Sequence, residues 1–244
     1  DSAKFDPTIV NGGIINSYSK NNKFGKGDWL IAEADESDGS VLKLPHEISI
    51  ITNIDIEHLD YYKTKENLIS AFEKFILNLP FYGYSIICID NNYLKNIEKK
   101  IKNKNIITYS LKNNKADVYI DNINNDLKSS YFSLKINKVI NGYKGNHNFK
   151  IRLLGNHNIL NGSASIISSL VAGVKINKIK QSLKNYNGVK RRFTLVGKKN
   201  KSLIYDDYAH HPTEIKATYL AAKKINKNIV VVFQPHRYSR TKLL

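Results

Sequence analysis

Methionine is absent from the 244 residues, cysteine and tryptophan each occur once, and there are five prolines. A single cysteine excludes a disulfide framework; Cys88, inside Ser85-Ile86-Ile87-Cys88-Ile89, reads as a buried core thiol, and this usage suits a reducing cytoplasm. No apolar run approaches the roughly 18 residues of a membrane span, and the chain does not open on a basic-then-apolar targeting segment. A soluble, cytoplasmic chain with no membrane partner is therefore expected. Lacking a start methionine and opening within what reads as a folded region, the chain is expected to be a fragment. Acidic residues are also few, 21 against 38 Lys and Arg, for a formal charge of +17. Such an excess can mark a nucleic-acid binder. Here the lysines are spread among asparagines and isoleucines, and no dense basic run interleaves with aromatics, so no nucleic-acid partner is expected. The charge can still draw anionic substrates.

What is present reads as α/β. Trp29 to Ala32 and Ile48 to Thr52 are short apolar runs that end in polar loops, the form of buried parallel strands. Leu68, Ile69, Phe72, Phe75, Ile76 and Leu79 recur at helical spacing between Lys65 and Leu79. Strand Tyr84 to Ile89, helix Tyr93 to Ile101 and strand Ile106 to Tyr109 continue a βαβ pattern. From Ala116 to Arg152 the pattern changes to alternating segments between Asn and Gly turns, which predicts antiparallel strands added to the parallel sheet. Helices are expected from Asn156 to about Ala172 and from Lys175 to Tyr186. Asn187-Gly188-Val189 reads as a hinge, dividing a first domain, residues 1–188, from a second, residues 189–244.

The second domain carries two polar clusters, Asp206 to Glu214 and Gln234 to Arg240. Each follows a β-like run, Ser202 to Tyr205 and Asn228 to Phe233, with a helix from Pro212 to Ile225 between them. Loops leaving the carboxyl ends of parallel strands build the ligand crevice in open α/β sheets, so these clusters should converge on an anionic ligand. Paired histidines before a proline can equally be an ordinary helix start. Glu33 and His58, each just past a predicted strand of an adjacent pair, could meet at a divalent ion; a hard cation such as Mg²⁺ prefers oxygen and bridges to substrate phosphates.

The segments Ala32 to Asp38 (AEADESD), Thr52 to Tyr61 (TNIDIEHLDY), Asn78 to Gly83 (NLPFYG), Gly155 to Asn161 (GNHNILN), Arg191 to Phe193 (RRF), Asp206 to Glu214 (DDYAHHPTE) and Phe233 to Thr241 (FQPHRYSRT) resemble, in order, those of the Mur ligases. The resemblance implies a central ATP-binding domain with a mostly parallel P-loop-type sheet over residues 1–188, incomplete at its start. It implies the first part of a Rossmann-like amino-acid-binding domain over residues 189–244. The UDP-binding domain and the Gly-Lys-Thr phosphate loop are expected to lie outside the chain. The implied chemistry is ATP-dependent amide formation through an acyl phosphate, in the branch whose substrates are UDP-N-acetylmuramate and L-alanine. A relative that reattaches a recycled peptide and a nucleotide-binding module without chemistry are the alternatives. The resemblance implies Glu33 and His58 as magnesium ligands, and Glu33, His58, Arg192 and His210 as the residues nearest the chemistry. It places His157, Asn161, Arg192, Asp206 and Asp207 at ATP, and Tyr208, His210, His236, Arg237 and Arg240 at the acceptor side. Glu57 stands where many relatives have Asp, and Ser37 favours the L-alanine branch.

Overall fold

The computed structural model describes residues 1–235. Strand β1 (Thr8–Ile15) pairs antiparallel with β2 (Lys20–Lys23) and parallel with β3 (Leu30–Ala32) in a small three-stranded sheet. The main sheet has six strands in sequence order: β4 (Ile48–Ile51), β5 (Tyr84–Cys88), β6 (Asn105–Ser110), β7 (Val118–Asn125), β8 (Ser130–Ile140) and β9 (Tyr143–Ile151). Strands β4 to β7 run parallel, and β8 and β9 then join antiparallel beyond β7, so the added antiparallel strands extend one edge of the same sheet. This is the expected α/β class with both kinds of pairing. The helices are α1 (Leu59–Tyr62), α2 (Lys65–Leu77), α3 (Asn92–Lys100), α4 (Asn156–Val171) and α5 (Ile176–Asn185). The C-terminal part holds strands β10 (Thr194–Lys199) and β11 (Ser202–Asp206) and helix α6 (Pro212–Lys223). None of the helices among the described residues is long and apolar enough to cross a membrane.

Local chemistry sets these elements. Thr64 accepts the Asn67 N–H at 3.2 Å and starts α2. Asn91 accepts the N–H groups of Tyr93 and Leu94 and starts α3. Strand β5 is buried on both faces from Ser85 to Cys88, as its unbroken apolar run requires, and α4 packs across the sheet with Ile159, Ile166, Ile167 and Leu170 fully enclosed. Each such side chain contributes about 1.5–3 kcal/mol of burial. The backbone enters α4 through Gly155 at φ +99°, where a Cβ would lie 2.7 Å from the His157 ring and 3.2 Å from the Ala221 Cβ, so glycine permits both the turn and the approach of α6.

Four expectations are corrected. Strands β3 and β4 belong to different sheets and are not neighbours, because β3 finds its partner in β1. Strand β11 pairs antiparallel with β10 in a hairpin, not within a parallel sheet. Asn228 to Phe233 forms no strand; Val230 and Val232 are more than nine-tenths exposed, and no strand among the described residues lies alongside to take up the ladder. The segment around Gly188 is not a free hinge. Asn16 donates its backbone N–H to the Gly188 carbonyl and its side-chain amide to the Asn187 carbonyl, the Lys190 N–H reaches the Ile14 carbonyl, and Ile15 bridges Val189.

Candidate functional site

The loop after β4 carries Asp55, Glu57 and His58. His58 begins α1 in the left-handed region at φ +57° and ψ +31°, a conformation open to few non-glycine residues, and its carbonyl accepts the N–H groups of Tyr61 and Tyr62. That shape projects the imidazole so that Nε2 lies 3.5 Å from Glu36 Oε1 and 3.9 Å from Glu57 Oε2. Glu36 is held in turn by the Tyr62 hydroxyl, which donates to its backbone carbonyl at 2.5 Å. Burial, with carboxylates nearby, pushes the Tyr62 phenol up to about 12, so it remains a donor at neutral pH.

Glu33 follows β3, and its Oε2 accepts the Gly12 N–H at 2.5 Å. No ion pair joins it to His58. Among the described residues no three His, Cys, Asp or Glu side chains converge as a metal cage.

The start of α4 faces the C-terminal part. His157 is on its first turn and accepts a hydrogen bond at Nε2 from the Asn158 amide at 3.0 Å. Burial lowers the His157 pKa below the ordinary 6.5, Arg192 and Lys224 push the same way, and Asp207 opposes them. Groups from both parts of the chain thus act on one imidazole. Glu33, His157, Asn161, Arg192, Asp207 and Tyr208 line a common cleft.

The loop between β11 and α6 is built by its carboxylates. Asp207 accepts the Phe193 N–H at 2.7 Å and the Ala209 N–H at 2.8 Å, while Asp206 meets Arg191 at 3.3 Å. Tyr208 lies under the Arg191 guanidinium, 5.0 Å from the ring centre. His210 donates from Nδ1 to the Tyr208 carbonyl at 2.9 Å, and the same nitrogen lies 3.8 Å from Glu214. Glu214 Oε1 meets Arg192 at 3.4 Å, and its Oε2 accepts the N–H groups of His210 and His211. Burial of Glu214 works against its charge, but those N–H groups, with Arg192 and His210, outweigh it and hold the pKa below 4.5. His211 caps α6, Pro212 occupies its first turn, and Glu214 completes a capping box.

The structure therefore brings His157, Arg192 and Asp207 within electrostatic reach of one another, places them with Asn161, Glu33 and Tyr208 along one extended cleft, and sets His210 against Tyr208; His58 is turned to Glu36 and Glu57. His236, Arg237 and Arg240 lie outside the described residues. Glu36, His211 and Glu214 have structural roles in the site that motif reading did not assign, while Glu57, which it set beside the metal-binding histidine, also faces His211. Of these, Glu214 could have been found from the Pro at the first helical position followed by a glutamate at the third.

Comparison with known proteins accords with this layout. The sequence matches the Mur ligase middle domain over residues 17–169 and the Mur ligase glutamate ligase domain over residues 191–242. It is 46% identical over 245 residues to the UDP-N-acetylmuramate–L-alanine ligase of Rickettsia felis, covering 98% of this chain and 51% of that protein. It is 47% identical to the corresponding ligase of Rickettsia prowazekii, over all of this chain and 50% of that one. The chain thus spans about half the length of the curated relatives it matches. The solved UDP-N-acetylmuramate-alanine ligase of Thermotoga maritima superposes with a TM-score of 0.81 at 27% identity, over 99% of this chain and 53% of that one. A murein peptide ligase from Psychrobacter arcticus shares the fold with a TM-score of 0.69 at 22% identity, over 91% of this chain and 49% of its own.

Proposed function

Because this chain belongs to the Mur ligase family, we propose that the whole protein joins L-alanine to UDP-N-acetylmuramate with ATP, in peptidoglycan precursor synthesis. The observation that carries this reading is the unbroken match, 46% identity through both parts of the chain to a relative named for that reaction. The cleft supports it: neutral His157, cationic Arg192 and the backbone-anchored Asp207 suit a nucleotide, with Asn161 on the same wall.

In the proposed reaction an oxygen of the muramate carboxylate attacks the γ-phosphorus and ADP leaves. The L-alanine amine then attacks the acyl carbon, loses a proton, and inorganic phosphate departs from the tetrahedral intermediate. Arg192 is placed to neutralise charge on the phosphates, and much of the remaining rate comes from holding the reactants together. Glu33 and His58 would hold Mg²⁺. A carboxylate and an imidazole suit an ion that would keep several waters and complete its coordination from the substrate, so no all-protein cage would be needed. When bound, Mg²⁺ neutralises charge on the transferring phosphoryl group. Tyr208 and His210, with His236, Arg237 and Arg240, form the acceptor side in this reading; an arginine can grip a carboxylate through two parallel hydrogen bonds.

Phosphate release by the full-length protein decides it. Release should require ATP, UDP-N-acetylmuramate and L-alanine together and stop on chelation of divalent ions. Turnover with a recycled tripeptide but not with L-alanine would assign the protein to the peptide-reattaching branch.

A further inference from the structure

We propose that His211 is a positioning residue that ties the start of α6 to the loop carrying His58. The tie rests on geometry; its effect on turnover rests on the Mur ligase reading of that loop. His211 is 7% exposed, the most enclosed histidine among the described residues. Its Nδ1 accepts the Thr213 N–H at 3.4 Å, which puts the ring proton of the neutral form on Nε2. Nε2 faces Glu57 Oε1 at 3.5 Å, and Nδ1 lies 3.7 Å from Asp55 Oδ2. The other Glu57 oxygen, Oε2, is 3.9 Å from His58 Nε2.

One carboxylate therefore stands between two imidazoles from distant parts of the chain. His58 is already in a left-handed conformation, so the direction of its ring depends on what its neighbours hold in place. A partner that orients a histidine fixes which nitrogen is free for chemistry. The His211 ring reaches Glu57 when α6 lies against the central body. Docking of α6, seen also in the Lys224–Asn156 contact at 3.5 Å and in Ala221 beside Gly155, thereby sets Glu57 and, through it, His58.

The bland alternative is a histidine that only caps a helix, and two substitutions in the full-length protein separate the roles. Asn reaches the Nδ1 position and is a good helix cap, but stops short of Glu57. Gln extends a donor to where Nε2 was and caps poorly. His211→Asn should leave the melting temperature unchanged while amide exchange across residues 55–58 speeds up by about tenfold and kcat falls by at least about tenfold, with KM for ATP unaltered. His211→Gln should lower the melting temperature yet restore most of the exchange protection and of kcat. Wild-type exchange and wild-type kcat in His211→Asn would leave His211 as a cap and overturn the proposal. Loss of kcat with unchanged exchange would overturn it too, since the residue would then act without the loop. The exchange measurement needs no substrate, so it decides the tie even if the full-length protein proves to join some other pair of substrates.

Discussion

Helices α4 and α6 touch each other, yet they are held by opposite means. Over its 16 residues α4 buries Ile159, Gly162, Ser163, Ala164, Ile166, Ile167 and Leu170, and no side chain caps its start. Over 12 residues α6 buries Ala221 alone, and its start carries a capping box with proline in the first turn. The first helix is placed by apolar surface removed from water. The second is placed by polar groups at its N-terminus, several of which also face the cleft. In the central body, then, the residues that hold the helix are not the candidate site residues His157 and Asn161. In the C-terminal part Glu214, which helps hold the helix, also contacts the candidate residues Arg192 and His210.

That contrast can be broken most decisively by truncating each helix. Ile166→Ala should cost about 2–5 kcal/mol in denaturant unfolding, the usual range for emptying an enclosed core site. Leu220→Ala on α6, where the leucine is 50% exposed, should stay within about 0.5 kcal/mol. Comparable losses from the two would show that α6 is held by burial after all.

A smaller effect is expected at the α6 cap. Glu214→Gln keeps the shape and much of the hydrogen bonding but removes the charge, and should cost about 0.3–1 kcal/mol at neutral pH. Because the folded state holds this carboxyl below its ordinary 4.5, the stabilisation is present above that pH and disappears as pH falls through the lower folded value. Melting curves of both proteins from pH 7 to pH 3 should converge toward the acid end. A constant gap would mean that the charge contributes nothing.

The smallest effect belongs to His157. Its neutral form is favoured in the folded state, so stability present above the ordinary 6.5 should be lost as pH falls through the depressed folded value. His157→Asn should remove that part of the slope and leave melting near pH 8 almost unchanged. An identical slope in the two proteins would show that burial does not reach this ring.

How much of this was legible in the sequence follows the same division. The unbroken run of β5 and the helical spacing of α2 announce themselves, because burial imposes a pattern on which residues are apolar. Strand β1, Thr-Ile-Val-Asn-Gly-Gly-Ile-Ile, does not: its Asn-Gly-Gly core is poor strand chemistry, and it is a strand by virtue of β2 and β3 on either side. Strand β10 with Gly197 is similar. The run Asn228 to Phe233 errs the other way, since a continuous β-branched apolar run describes a strand only where an edge is available to pair with. At the site, position along the chain located the loops, and the motifs named their residues. Which carboxylate faces which histidine was not readable, because Glu36, Glu57 and His211 meet only through the left-handed turn at His58 and the docking of α6.

The bonds between Asn16 and residues 187 and 188, and between Lys190 and Ile14, also decide where the C-terminal part could swing. With the backbone riveted to the end of β1 as far as Lys190, the glycine at 188 is upstream of any pivot. Rotation has to be taken up just beyond it, at Arg191 and Phe193, whose φ angles of +59° and +49° already depart from the common range for side-chain-bearing residues. Those two flank Arg192, so a swing of the C-terminal part would turn about the residue proposed to meet the phosphates and would carry its guanidinium through an arc instead of moving it as a passenger at the rim.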